Sequence, residues 1–378
     1  MTVNDASLGE SGSKLSKVAA TSLLMGVTRA SSEAYSVVYD CGSKTPSILQ
    51  NEIDITFLNH DVIDLFFVSH FHNDHICGVD YLLNSKQCTI KRFVIPVITE
   101  DIFIEAYLYN YIETGSGHSF ANEFLTQCYN GENNDYLVTV DSFDDIRNGQ
   151  IIDFENLEID DMVSATGVVE IHNPTRVKKD NWLYIPYNVN NNREKLISAI
   201  NVHPDFQGVV VDGKVDSELL SNKLNSLGLD ECKNIYKKIF GDHNLYSMPV
   251  FSSINCEDEG KCYKECHKLG DFPSFCHTNC LYMGDFDAKD QDNYNALAKF
   301  YEHYWDRIGL IQVPHHGSKF NSDEKLYKPK KFCIISAKNG SRDHPDKATI
   351  DAIMKAGSIH IIVTEDKKTK QLFKYQLK

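Results

Sequence analysis

The sequence predicts an α/β fold, a sandwich of two sheets with helices on its outer sides. Three observations carry this reading: nearly continuous apolar runs of strand length, segments of helical apolar spacing between them, and recurrence of that alternation in both halves of the chain. A strand buried on both faces reads as an unbroken apolar stretch, whereas a strand with one wet face alternates. Residues 37–39 and 65–68 are of the first kind and predict central strands.

From 98 to about 129 the spacing turns helical, as in Ile102, Ile104, Ala106, Tyr107 and Tyr111, with 115–119 as punctuation. This predicts a helical cap over the site. Strands follow at 136–140, 151–159 and 182–186, then helices at 192–200 and 217–240, the second broken near Gly228. Further strands are expected at 246–251, 281–283, 308–313 and 332–336, with helices at 294–304 and 347–355 between the later ones. Strands at 360–363 and 372–376 complete the pattern. Residues 104–165 (the helical cap) and 253–280 (rich in cysteine) read as insertions in a single domain spanning 1–378. Residues 1–15 are small and polar, the composition of a loosely held terminus.

Composition narrows the function. A chain of 378 residues that is 42% hydrophobic can bury a large core. Its formal charge of −15 argues against broad electrostatic capture of nucleic acid, which relies on a basic surface that releases counterions. Phosphate esters stay open as substrates, because bound divalent ions would offset carboxylates in a cleft. No run approaches the ~20 apolar residues of a membrane helix, and no secretion signal is legible, so a cytoplasmic protein without membrane association is expected. Of the eleven cysteines, the six scattered ones then read as reduced core thiols.

The chemistry begins where the strand at 65–68 ends. Ser69-His70-Phe71-His72-Asn73-Asp74-His75 spells H-x-H-x-D-H ahead of a helix expected near Ile76. At strand-like period two, His70 and His72 project to one side, and the turn at Asn73 brings Asp74 and His75 towards a second point. Two adjacent cations can be held there. Imidazole suits zinc and iron whereas carboxylate accepts harder ions such as manganese, so zinc is the first expectation and manganese the second.

This segment resembles the signature of the metallo-β-lactamase superfamily, and further elements follow in the family's order from about residue 35 to 350. Asp40-Cys41-Gly42-Ser43 is similar to the D-x-G that supports the cradle, and Leu281-Tyr282-Met283-Gly284-Asp285 to the strand whose aspartate bridges two metals. Pro314-His315-His316-Gly317-Ser318 resembles the P-H-H-G-S element of the branch that holds competence-protein hydrolase domains and phosphorylcholine esterases. Ser336-Ala337-Lys338-Asn339 with His344-Pro345 resembles that branch's last element. The resemblance implies a four-layer αββα sandwich and metal ligands at His70, His72, Asp74, His75, Asp285, and His316 with or without His315. It also implies an acid or anion contact at His344, and Lys319 beside it would stabilise charge. Where many members place another histidine, this chain reads Asp242-His243-Asn244-Leu245-Tyr246-Ser247. Asn244 and Ser247 fit the branch's N-x-x-S form, and His243 is either a shifted ligand or a loop residue.

Two cations ~3.5–4 Å apart lower the pKa of a shared water and clamp the oxygens of a displacement. Hydrolysis by a metal-bridging hydroxide is therefore expected, with Asp74 orienting it. The branch implies a phosphodiester or other anionic substrate, hence a nuclease or a nucleotide hydrolase. The alternative is a metal-binding interaction or effector module of the same fold, with a protein partner and weak or conditional hydrolysis. A separate cluster, Cys256, Cys262, Cys266, Cys276 and Cys280 with His267 and His277, reads as a structural zinc site, as reduced thiols or as disulfides. The aromatic run 182–187 and Tyr107, Tyr109 and Tyr111 read first as packing.

Overall fold

The computed structural model describes residues 14–20, 26–29, 36–132, 136–142, 155–179, 182–188, 193–241, 246–254, 279–328, 330–341, 344–366, 369 and 371–377. Its strands in chain order are β1 (Lys14–Ala20), β2 (Gly26–Arg29), β3 (Ser36–Tyr39), β4 (Val62–Phe67), β5 (Thr89–Pro96), β6 (Leu137–Val140), β7 (Glu155–Glu158), β8 (Val169–Ile171) and β9 (Thr175–Lys179). Then come β10 (Trp182–Pro186), the small pair β11 (Val210–Val211) and β12 (Lys214–Val215), β13 (Val250–Ile254), β14 (Cys280–Tyr282), β15 (Leu310–Gln312), β16 (Phe332–Ser336), β17 (Ile359–Val363) and β18 (Gln371–Leu377). One eight-stranded sheet has the order β18-β1-β2-β3-β4-β5-β6-β8 and the other β17-β16-β15-β14-β13-β10-β9-β7. The strands that lead into the predicted motifs are parallel neighbours: β3, β4 and β5 in the first sheet, β14, β15 and β16 in the second.

The period of two along these strands creates the layers. Val38 and Phe66 join Ile53 and Phe103 in a core outside the first sheet. Their neighbours Val37, Tyr39, Leu65 and Phe67 face the other way, into a core shared with Tyr184, Val250 and Leu310 of the second sheet. On the far side, Cys333 and Ile335 pack with Leu297 and Ile353. A one-residue slip of β4 would move its side chains between cores. At about 1.5–3 kcal/mol for each fully buried large apolar side chain, burial fixes that register.

The outer layers are helical: α1 (Pro46–Thr56), α2 (Asn73–Ile76), α3 (Gly78–Asp80), α4 (Glu100–Thr114), α5 (Phe120–Asn130), α6 (Ile159–Ser164), α7 (Arg193–Val202), α8 (Ser217–Leu227), α9 (Leu229–Ile239), α10 (Gln291–Phe300) and α11 (Lys347–Lys355). Helices α4, α5 and α9 contribute Phe103, Leu125 and Ile235 to the first outer core, and α10 and α11 contribute Leu297 and Ile353 to the second. The four-layer αββα sandwich is therefore the architecture.

Several expectations shift. Segment 104–165 is built into the sandwich, because β6 pairs with β5 in one sheet and β7 pairs with β9 in the other. The strand expected over 151–159 gives way at Ile159, which with Met162 forms the buried side of α6; residues 151–154 lie outside the described residues. The strand expected from 246 starts at Val250, because Tyr246–Pro249 is tied elsewhere: Met248 N–H donates to Ser69 O at 2.8 Å, and the Tyr39 hydroxyl donates to Met248 O at 3.0 Å. The run 182–186 is a buried strand, as its composition suggests. Of 253–280, residues 255–278 lie outside the described residues. Among the described residues, no helix is long and apolar enough to cross a membrane.

Candidate metal centre

Open α/β sheets carry their sites beyond the carboxyl ends of parallel strands. Here both sheets do so at one place. Asp40 follows β3, His70 follows β4, Asp285 follows β14, His315 and His316 follow β15, and the loop to His344 follows β16. Among the described residues, His70, His75 and Asp285 bring ligand-type atoms within 4.8 Å of one another, and all three are buried.

The histidine loop packs its rings tightly. The His70 ring centroid lies 4.0 Å from that of His75 and 4.4 Å from that of His72. Each ring has one nitrogen engaged. His70 Nδ1 lies 2.9 Å from Ser69 Oγ, His75 Nδ1 lies 2.9 Å from Asp40 Oδ2, and His72 Nε2 lies 3.0 Å from Glu105 Oε1. Of the opposite nitrogens, His70 Nε2 and His72 Nδ1 are buried and make no hydrogen bond, and His75 Nε2 meets Asp285 Oδ1 at 3.4 Å. Buried polar atoms without partners cost ~1–3 kcal/mol each, so the two on neighbouring rings need a compensating group. A cation satisfies both of them, and one ring nitrogen held by a carboxylate or hydroxyl is the usual support of a metal-binding histidine.

Local backbone makes this packing feasible. Asp40 adopts a positive φ of 52°, which turns its carboxylate back to accept from Ser69 N–H at 2.7 Å and from the Ser69 hydroxyl at 2.6 Å. Gly42 lies so close to the histidine loop that a Cβ there would overlap the Asp74 carbonyl. Gly284 has φ +52°, and a Cβ on it would overlap Ser247 Oγ. Ser247 itself accepts from Asp285 N–H at 3.1 Å and donates to Met283 O at 3.2 Å, bracing the turn that presents Asp285.

His315 and His316 complete the group, both with positive φ, 45° and 55°. His315 Nδ1 lies 2.9 Å from Asn321 Oδ1, its Nε2 lies 3.9 Å from Asp285 Oδ2, and His316 Nδ1 lies 3.0 Å from Ser336 O. Asn321 also donates to Asp285 O at 3.2 Å, linking the two motifs.

The electrostatics fit a cation site. Burial, with His75 and His72 alongside, holds His70 well below the usual imidazole range, which keeps it neutral. Burial alone would do the same to His75, but the Asp285 and Asp40 carboxylates carry it well above that range. Burial opposes ionisation of Asp285, and His75 and His315 overcome it, holding its pKa well below normal. Without a metal, the proton on His75 does part of a cation's work.

Beside this group opens a cleft of about 380 Å³, with Asp74, His315, His316 and His344 on its walls together with Lys44 and Lys338. Lys44 Nζ lies 3.7 Å from Asp74 Oδ2. Not every expected residue is here. Lys319 is engaged with Asp346 at 3.8 Å and lies over the Phe320 ring, and it lines a different hollow, so it does not stabilise charge in this cleft. Cys280 is buried between the sheets, where burial pushes its thiol up to about 12, which makes it a protonated core thiol. Cys256, Cys262, Cys266 and Cys276, like His243 and Asn244, lie outside the described residues.

Three supporting residues escaped the sequence reading, Glu105, Asn321 and Lys44, and Tyr109, read there as packing, does more. Tyr109 stacks on His72 with centroids 3.7 Å apart and ring planes 7° apart. The signal for Glu105 was a carboxylate inside the apolar stretch from Ile102 to Tyr109 of the helix.

Residues 25–178 match the family model described as the metallo-beta-lactamase superfamily. That match covers under half of the chain, and the αββα layers with the loop at 70–75 are consistent with the metallo-β-lactamase fold. Similar solved structures include the metallo-beta-lactamase fold protein YhfI from Bacillus subtilis, at 8% identity and TM-score 0.38 over 97% of this chain and 100% of that one. A diphosphatase of the PhnP family is 8% identical with TM-score 0.31, over 94% and 88%. Zinc-bound PqqB from Methylobacterium extorquens is 7% identical with TM-score 0.32, over 92% and 86%. Likenesses this distant carry no argument about chemistry. No curated protein matches the chain.

Proposed function

We propose that this protein is a metal-dependent hydrolase that acts on phosphodiesters of nucleotide size, using two divalent cations, zinc first and manganese second. The observation that carries the reading is the convergence of buried ligand-type atoms of His70, His75 and Asp285 within 4.8 Å, with the unpaired ring nitrogens of His70 and His72 buried alongside. His70, His72, Asp74, His75, Asp285 and His316 would together hold the two cations, His70 and His72 on one side and Asp74 and His75 on the other. Such cations, when bound, act as Lewis acids and lower the pKa of water at the site.

The chain's own residues supply the rest. Asp40, Glu105, Ser69 and Asn321 fix the rings so that no reorganisation is needed on binding. Lys44 and Lys338 offer positive charge, and His344 a hydrogen-bonding ring, to anionic oxygens along the cleft. The preference for phosphodiesters rests on those cations and on the likeness of Pro314–Ser318 to the competence-protein and phosphorylcholine esterase branch. A volume near 380 Å³ suits a nucleotide or small diester better than a duplex.

The test is metal-stripped protein reconstituted separately with zinc and manganese, then assayed on bis-p-nitrophenyl phosphate, cyclic nucleotides, single-stranded DNA and RNA. Cleavage of at least one substrate should return with metal and disappear in Asp74→Ala. Metal-loaded protein that cleaves none of them rejects the proposal.

A further inference from the structure

Behind the His315 loop lies a second hollow of about 210 Å³, and Lys319, expected at the catalytic cleft, stands on its rim with Lys289. Ser322, Tyr327 and Thr349 also line it. All three residues are at least nine-tenths buried, with relative exposures of 8%, 0% and 3%. The Ser322 and Tyr327 hydroxyls face one another, and the buried Thr349 hydroxyl makes no hydrogen bond. Thr349 belongs to the first turn of α11, which holds no acidic residue, and the side chain of Asp346 ahead of it does not cap the helix.

These features favour one kind of occupant. The opening N–H groups of a nine-residue helix attract negative charge, and Lys289 at the rim adds to that field, as does Lys319 in part, after its pairing with Asp346 at 3.8 Å. Hydroxyl groups can each donate to an oxyanion. One carboxylate, Glu324, lines the same hollow, but Lys328 and Lys355 lie 3.7 and 3.6 Å from it and offset its charge. We propose that this hollow is a second anion site, separate from the metal centre, that takes a small tetrahedral oxyanion such as inorganic phosphate. Its wall is continuous with the cleft, since Asn321, which holds His315, sits between Phe320 and Ser322. The proposal stands whether or not the protein hydrolyses phosphodiesters.

Titration calorimetry of inorganic phosphate into the full chain tests it, with circular dichroism showing that each variant is folded. Binding should persist in His316→Ala, which alters only the catalytic cleft. It should fall at least tenfold in the Lys289→Met, Lys319→Met double variant and in Thr349→Val, the latter keeping the shape of the site without its hydroxyl. Absence of phosphate binding, its loss in His316→Ala, or its retention in either the double-lysine variant or Thr349→Val overturns the assignment.

Discussion

Glu105 is the side chain on which the position of His72 turns. It accepts from the Tyr236 hydroxyl while its carboxylate meets His72 Nε2, so the ring is fixed from the side opposite its buried Nδ1. Replacing it with alanine should weaken metal binding ~10–100-fold, the usual loss when such a partner is removed. Competition with a chromophoric chelator measures this, and an unchanged affinity would refute the role. The histidines were legible because imidazoles and a carboxylate packed into six positions after an apolar strand have few other uses. Glu105 and Asn321 were not, since a carboxylate or amide in a helix or loop ordinarily faces water. Away from the site, Lys331 donates to Ile308 O at 2.9 Å, and burial lowers its pKa from 10.5 to about 8. Between those values the unfolded chain keeps a proton that the folded chain releases, so stability rises with pH. Relative to Lys331→Met, the wild type should gain on the order of 3 kcal/mol from pH 8 to 10.5 in denaturant unfolding. A pH-independent difference would contradict this.

At the scale of elements, the loops after β3, β4 and β14 interlock with almost no slack. Gly42→Ala places a methyl group against the Asp74 carbonyl and should cost about 1–3 kcal/mol, as overpacking typically does. Urea unfolding would show it, and wild-type stability would mean the loop yields easily. Strands β3, β4, β10 and β16 could be read from composition because both of their faces are covered. Strand β9 could not: Thr175 and Val177 face inward, but Arg176, Lys178 and Lys179 give it the composition of a loop. The helix break near Gly228 was visible because glycine joins α8 to α9 there.

Over the whole molecule, three apolar cores hold two sheets and two helical layers, and the candidate centre sits where the carboxyl ends of both sheets meet. The alternation of elements gave the class of fold, whereas the sheet order depends on pairings across the full chain, such as β1 with β18, that no local pattern encodes. A centre that spans both sheets should couple metal binding to global stability. Loading at a hundredfold excess over Kd should add ~2.7 kcal/mol per ion, seen as a higher Tm that chelation reverses. A Tm insensitive to metal would contradict that coupling. The most direct measurement is an anomalous-difference map from crystals grown with zinc. Two peaks are expected among His70, His72, Asp74, His75, Asp285 and His316. A map without peaks there, or with zinc bound only elsewhere, would contradict it.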